Sequence, residues 1–143
     1  MILPDANTLL YAVNTASEQH SSALTALRDG FNSPRGVAFA WVALLAFLRL
    51  STKRGIFPRP LSTEDALRVV SNWLKHDQAQ VVHPTERHCE VLGRLLNAAG
   101  APGNLTTDAH LAALAIEHDA TIVTFDRDFA LFSDVRWEHP GIS

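Results

Sequence analysis

Three aspartates stand where a chain of alternating strands and helices can bring them together. Asp5 ends an opening apolar strand, Asp108 lies in the first turn of the helix "TTDAHLAALAIEH", and Asp126 follows the β-branched run "ATIVTF". Each alone has an ordinary structural role, since aspartate favours helix N-termini and Asp126 suits the cap of the turn "DRDF". Their combination is harder to satisfy, because carboxylates held close without a cation raise one another's pKa and destabilise the site. Asp5 is the sharpest case. No Lys or Arg precedes Arg28, and desolvating a charge without a partner is costly.

A divalent cation resolves the conflict. Mg²⁺ or Mn²⁺ takes oxygen ligands and keeps several waters, so two or three carboxylates suffice. Asp5 is then expected to be costly in the metal-free protein, so that removing its charge stabilises that form. Zinc is disfavoured: the seven histidines are scattered, with no HxH or HxxxH pair, and the single cysteine, Cys89, cannot supply a thiolate cluster or an internal disulfide. Cys89 reads as a small buried hydrophobe. A hard cation on carboxylates, with water positions left open, suits hydrolysis of a phosphodiester. An aspartyl-phosphatase reading of the first strand would want a DxD pair, and position 7 is Asn7.

The elements that must position these acids follow from periodicity and punctuation. Residues 2–5 read as a strand, about Ser17 to Arg28 as a helix, "VAFAW" as a strand leading into the helix "WVALLAFLRLST", and "GIFPRPLS" as a loop. Ser62 or Thr63 caps a helix whose apolar side is Leu67, Val70 and Leu74; then come a strand "QVVH", a helix within "PTERHCEVLGRLLNAAG" ended by Gly100, and a loop "APGN". The helix bearing Asp108, the strand "ATIVTF" and a last strand near "VRWEH" complete the chain. This alternation predicts an α/β fold, a mostly parallel central sheet covered by helices on both faces. In such sheets, sites form beyond the carboxyl ends of the strands, where strand order reverses.

Bulk properties narrow the classes. The 143 residues suit one domain, 1–143, and 47% apolar composition with 19% charged residues is ordinary for an ordered globular chain. No apolar run is long enough to cross a bilayer, and Asp5 interrupts what a secretory leader would need, so a cytoplasmic protein with no membrane partner is expected. A net charge of −3 gives no global attraction to nucleic acid. Locally, Arg49, Lys53, Arg54 and Arg59 stand in a stretch without Asp or Glu from Trp41 to Thr63, which suits either a solvated helix end or phosphate binding. Trp41, Trp73 and Trp137 read as core or interface fillers, and His110, two residues after Asp108, points away from it on a helix.

The residues then resemble a family. "DAN" at Asp5 to Asn7, "WVALLAFLRLST", "GNLTTDAHLAALAIEHDATIVTFDRDF" and the closing "RWEHP" are similar to the PIN-domain ribonucleases, and within them to the VapC toxins of bacterial type II toxin–antitoxin pairs. The resemblance implies a PIN-like α/β/α sandwich and Mg²⁺-dependent endonucleolytic cleavage of RNA, with Mn²⁺ able to substitute. It implies that Asp5, Asp108 and Asp126 are catalytic and metal-binding and that Asn7, Thr107 and Asp128 support them; the local basic residues Arg49, Lys53 and Arg54 are the expected RNA contacts. It further implies a homodimer and a VapB-like antitoxin whose Arg or Lys enters the acidic site. The antitoxin groove is expected along "VALLAFLRL" and the Leu61 to Leu74 region. One position departs: Ala46 stands where many relatives carry Glu. The alternative is therefore a catalytically weak PIN-like RNA-binding or protein-interaction module.

Overall fold

The computed structural model describes residues 1–100, 103 and 105–141. Its elements run β1 (Ile2–Pro4), α1 (Ala6–Val13), α2 (His20–Phe31), β2 (Val37–Phe39), α3 (Trp41–Ser51), α4 (Thr63–Leu74), β3 (Ala79–Val81), α5 (His88–Ala99), α6 (Thr106–Glu117), β4 (Thr121–Val123) and β5 (Trp137–Glu138). A short 3₁₀ turn, Arg127–Leu131, joins the last two strands. All strand pairs are parallel, in the order β3-β2-β1-β4-β5. The expected α/β architecture is the one observed.

The three central strands, β2, β1 and β4, hold at this length because they are largely buried between helices. Along β2, Val37 and Phe39 pack with Leu9, Leu27, Leu44 and Phe47, while Ala38 packs with Leu3, Val91, Leu114 and Ile122. The alternation of period two thus splits the core into two apolar layers, one under α1 to α4 and one under α5 and α6. Helix α2 approaches the sheet closely at Gly30, where a Cβ would lie 2.7 Å from Ile2 Cδ1 and 2.8 Å from Val37 Cγ2. Any larger residue there would have to shift the Ile2 and Val37 side chains.

Several boundaries differ from the sequence reading, each for a local reason. The stretch after Asp5 forms α1, a helix the apolar pattern had not marked, because Asp5 itself caps it: Oδ1 accepts from Ala6 N at 2.8 Å. The helix expected from Ser17 begins at His20, since Ser17 Oγ accepts from Gln19 N and holds a turn. Helix α5 begins at His88 and not at Pro84, because Thr85 is occupied with Glu117 of α6. Cys89 is a correction, since it is exposed, and Trp41, at 43%, is left outside the core. Of the expected loop "APGN", residues 101, 102 and 104 lie outside the described residues.

Helix α4 has the cap anticipated for it. Ser62 Oγ accepts from Asp65 N at 3.0 Å, and Arg68 pairs with both Glu64 and Asp65 in the first turn. The Ser62→Ala variant is expected to lose about 1 kcal/mol in urea denaturation with an unchanged m value. A much larger loss would mean that the cap also anchors the preceding loop.

Candidate functional site

Parallel register sets the geometry. Pro4 pairs with Val123, so the next residues, Asp5 and Thr124, emerge side by side at the carboxyl ends of β1 and β4. With β2 on the other side of β1, this is where strand order reverses, the expected location of a site in an open α/β sheet. Asp5 N donates to Val123 O at 3.0 Å, and Thr8 Oγ1 donates to the same carbonyl at 2.8 Å, fixing α1 to the strand end.

At the centre is Thr124, a fully buried hydroxyl. Its Oγ1 donates to Asp5 Oδ2 at 2.8 Å and accepts from Asp126 N at 3.0 Å and Asn7 Nδ2 at 3.3 Å. Asn7 Nδ2 is also 3.5 Å from Asp5 Oδ2, and its Oδ1 accepts from Phe125 N at 3.1 Å. Asp126 caps the 3₁₀ turn, its Oδ1 accepting from Asp128 N at 2.9 Å. The sequence reading placed these acids and Asn7 and overlooked Thr124. Its available signal was a hydroxyl at the end of a buried strand, one residue before Phe-Asp.

Asp108 arrives from the opposite layer, in the first turn of α6. It shares with Asp5 a cavity of about 170 Å³, whose wall includes Ala6, Val42, Ala43, Ala46, Thr107 and Leu111. Burial against that apolar wall, reinforced by the charges of Asp5, Asp126 and Asp128, pushes the Asp108 carboxyl up to about 6. Burial also raises Asp5, opposed by the hydrogen bonds from Thr124 and Ala6 N–H, while the charge of Asp126 adds to the rise. The acids are electrostatically one cluster. Thr107 lines the cavity without a hydrogen bond to an acid among the described residues, and Asp128 is exposed. A larger cavity, about 340 Å³, opens between α2 and β5 and contains none of these acids.

Ala46 faces the shared cavity, and a second one continues past it over Val42, Leu45 and Thr107 to Arg49. Lys53 and Arg54 follow, exposed like Arg49. The basic residues therefore extend away from the acids along the end of α3. His110 is turned elsewhere, its Nδ1 2.9 Å from His88 Nε2.

The donors suit a hard cation. They are carboxylate oxygens, with no thiolate or imidazole lining the cavity. Among the described residues no three His, Cys, Asp or Glu side chains are assembled as a ready ligand group. A pair of carboxylates is enough for Mg²⁺, which ordinarily binds through one or two and fills its octahedron with water and substrate phosphate.

Comparison with known proteins identifies the family. A family model described as PIN domain matches residues 2–135. The chain belongs to the PIN-domain family. It is 52% identical over 140 residues to Ribonuclease VapC37 of Mycobacterium tuberculosis, covering 98% of this chain and 97% of that one, and 39% identical to Ribonuclease VapC33 of the same organism, covering 98% of each. Within the PIN-domain family it stands among the VapC ribonucleases. Its fold is similar to that of VapBC2 from Rickettsia felis, solved bound to a promoter DNA fragment, with a TM-score of 0.70 at 20% identity over 96% of this chain and 98% of that one. It is also similar to Mycobacterium tuberculosis VapC20, a sarcin-ricin loop cleaving toxin, with a TM-score of 0.67 at 20% identity over 95% of this chain and 99% of that one.

Proposed function

We propose that this protein is a Mg²⁺-dependent endoribonuclease, the toxin of a toxin–antitoxin pair, acting in the cytoplasm. The observation that carries the reading is the convergence of Asp5 and Asp108 on one cavity at the strand-order reversal, with Asp126 close enough to couple to both. Asp5 and Asp108 would hold the cation, and Asp126 would complete or orient its shell. What bound Mg²⁺ supplies is Lewis-acid polarisation of a phosphodiester and a water of lowered pKa. The rest falls to the chain. Thr124 and Asn7 hold the Asp5 carboxylate in one orientation, and the apolar wall of Val42, Ala43 and Leu111 lowers the local dielectric, strengthening every charge interaction inside.

Substrate contact is assigned to Arg49, Lys53 and Arg54, the exposed cations beyond the cavity. The Arg49→Ala variant is expected to weaken RNA binding about tenfold and to reduce the salt dependence of binding by about one phosphate contact. Fluorescence anisotropy across a salt series measures both. An unchanged slope would assign Arg49 to the solvated helix end.

A homodimer and a small antitoxin that reaches the acids with an Arg or Lys belong to the same reading, the antitoxin supported by structural neighbours solved as VapBC complexes. Helices α3 and α4 turn Ala43, Leu44, Phe47, Ala66 and Val70 inward and leave Leu45 and Leu67 exposed at 58% and 49%. Those exposed leucines are the residues of the anticipated docking region that remain available to a partner.

Ala46 favours a second reading, a catalytically weak RNA-binding or protein-interaction module, because the cavity wall offers a methyl group where an acid would complete the ligand set. Incubating structured RNAs with the protein, Mg²⁺ or EDTA separates the two. Cleavage that requires Mg²⁺ and is lost in Asp5→Asn supports the nuclease; RNA binding without Mg²⁺ uptake in calorimetry supports the module. Cleavage that persists in EDTA would overturn the metal-dependent mechanism.

A further inference from the structure

A second polar network lies outside the acid cluster, between α6 and the segment that precedes α5. Glu117, whose side chain is wholly buried, accepts through Oε1 from Thr85 N at 2.9 Å and Thr85 Oγ1 at 2.6 Å, and its Oε2 lies 2.6 Å from His88 Nδ1. The other nitrogen of His88, Nε2, lies 2.9 Å from His110 Nδ1. His118 Nε2 meets His83 O at 2.7 Å. Two residues of α6, His110 and Glu117, and His118 directly after it are thereby tied to residues 83–88.

The need for such a tie follows from the composition of α6. Its buried residues are four alanines, Ala109, Ala112, Ala113 and Ala115, beside Leu111 and Leu114, so that close packing is allowed and much of the packed surface has shallow ridges. Shallow ridges resist sliding along the helix axis less than large interlocking side chains do. Asp108 rides on this helix, and metal ligation tolerates errors of only a few tenths of an ångström. Glu117 and His110 are seven residues apart, two turns on one helix face, so a single imidazole, His88, contacts both and fixes translation and rotation together.

We propose that Glu117 and His88 are positioning residues, which lock the axial register of α6 and so hold Asp108 in the cavity it shares with Asp5. This rests on Asp108 being a metal ligand. The network is a complete chain of hydrogen bonds: the Glu117 carboxylate accepts from His88 Nδ1–H, leaving Nε2 to accept from His110 Nδ1–H. In Glu117→Gln the chain survives with its direction reversed, the amide donating to His88 and His88 donating to His110. Glu117→Ala and His88→Ala break it.

Calorimetric Mg²⁺ titration of the full-length protein tests the proposal, with Val91→Ala, a cavity in the buried face of α5, as a control for general loosening. Glu117→Ala and His88→Ala are expected to weaken Mg²⁺ binding about tenfold or more, Glu117→Gln less than about threefold, and Val91→Ala not at all beyond its effect on Tm. Amide hydrogen exchange at Asp108 and Ala109 is expected to quicken in the two strap variants more than in the control. Equal loss of Mg²⁺ affinity in Val91→Ala, or unchanged affinity and exchange in Glu117→Ala and His88→Ala, overturns it. If wild type takes up no Mg²⁺, the metal assignment fails, and the exchange comparison alone decides the positioning role.

Discussion

The Asp108→Asn variant is expected to lose Mg²⁺ uptake and to cleave RNA about 10³-fold more slowly, while its metal-free fold becomes more stable at neutral pH. The first effect follows from removing one of the two carboxylates that face the cavity. The second follows from the carboxyl being pushed up to about 6 by burial and by the charges of Asp5, Asp126 and Asp128. A carboxyl whose folded pKa exceeds its unfolded one contributes its stability below the unfolded value and loses it as pH rises through the folded value. Metal-free wild type should therefore weaken between about pH 4 and pH 6, and the variant should not share that loss.

Solvent screening of a half-buried group reduces the gain to about 1–2 kcal/mol at pH 7.5, a rise of a few degrees in Tm. Thermal melts in EDTA at pH 4 and pH 7.5 measure it: the two proteins should coincide at the lower pH and separate at the higher. A variant no more stable than wild type at pH 7.5 would show that Asp108 is held by contacts and not strained by charge. Asp5→Asn should gain less. Its carboxylate caps α1 and accepts from Thr124, so part of the charge is already compensated within the fold.

The Thr124→Val variant is expected to lose about 1–3 kcal/mol of stability and to lower cleavage about 10- to 100-fold, although the side chain keeps its shape and touches no substrate. Without the hydroxyl, the N–H of Asp126 loses its acceptor, the amide of Asn7 keeps only its longer contact to Asp5, and Asp5 Oδ2 loses its shortest hydrogen bond. The carboxylate would then rotate about its side chain, and the turn carrying Asp126 would loosen from the strand end. Activity restored by Thr124→Ser, together with a raised Mg²⁺ requirement in Thr124→Val, identifies orientation of Asp5 as the cause. If Thr124→Val loses stability alone, the hydroxyl only satisfies buried groups.

Much of the fold was legible because strands and helices write local patterns. The β-branched run before Asp126, the Gly100 that ends α5 in a left-handed conformation, and Ser62 ahead of two acidic residues are short-range signals set by backbone sterics and capping. Helix α1 was hidden because its cap, Asp5, was read for its charge, and the pattern around it is apolar on most sides. Cys89, expected to be buried, resisted prediction for the opposite reason. Exposure depends on which face of a helix meets a neighbour, and residue type carries only a tendency.

By itself the sequence determined the chemistry available: carboxylates at three element ends, no cysteine or histidine pattern for a softer metal, and an alternation that demands a parallel sheet. Only the tertiary structure decided which groups act together. Register between β1 and β4 set Asp5 beside Thr124, closure of α6 over the sheet brought Asp108 to the same cavity, and α6 was tied to residues 83–88 through Glu117. These contacts join residues from 29 to 119 positions apart in the chain. No local pattern encodes them, because they arise from strand order and helix packing, which the whole chain settles at once.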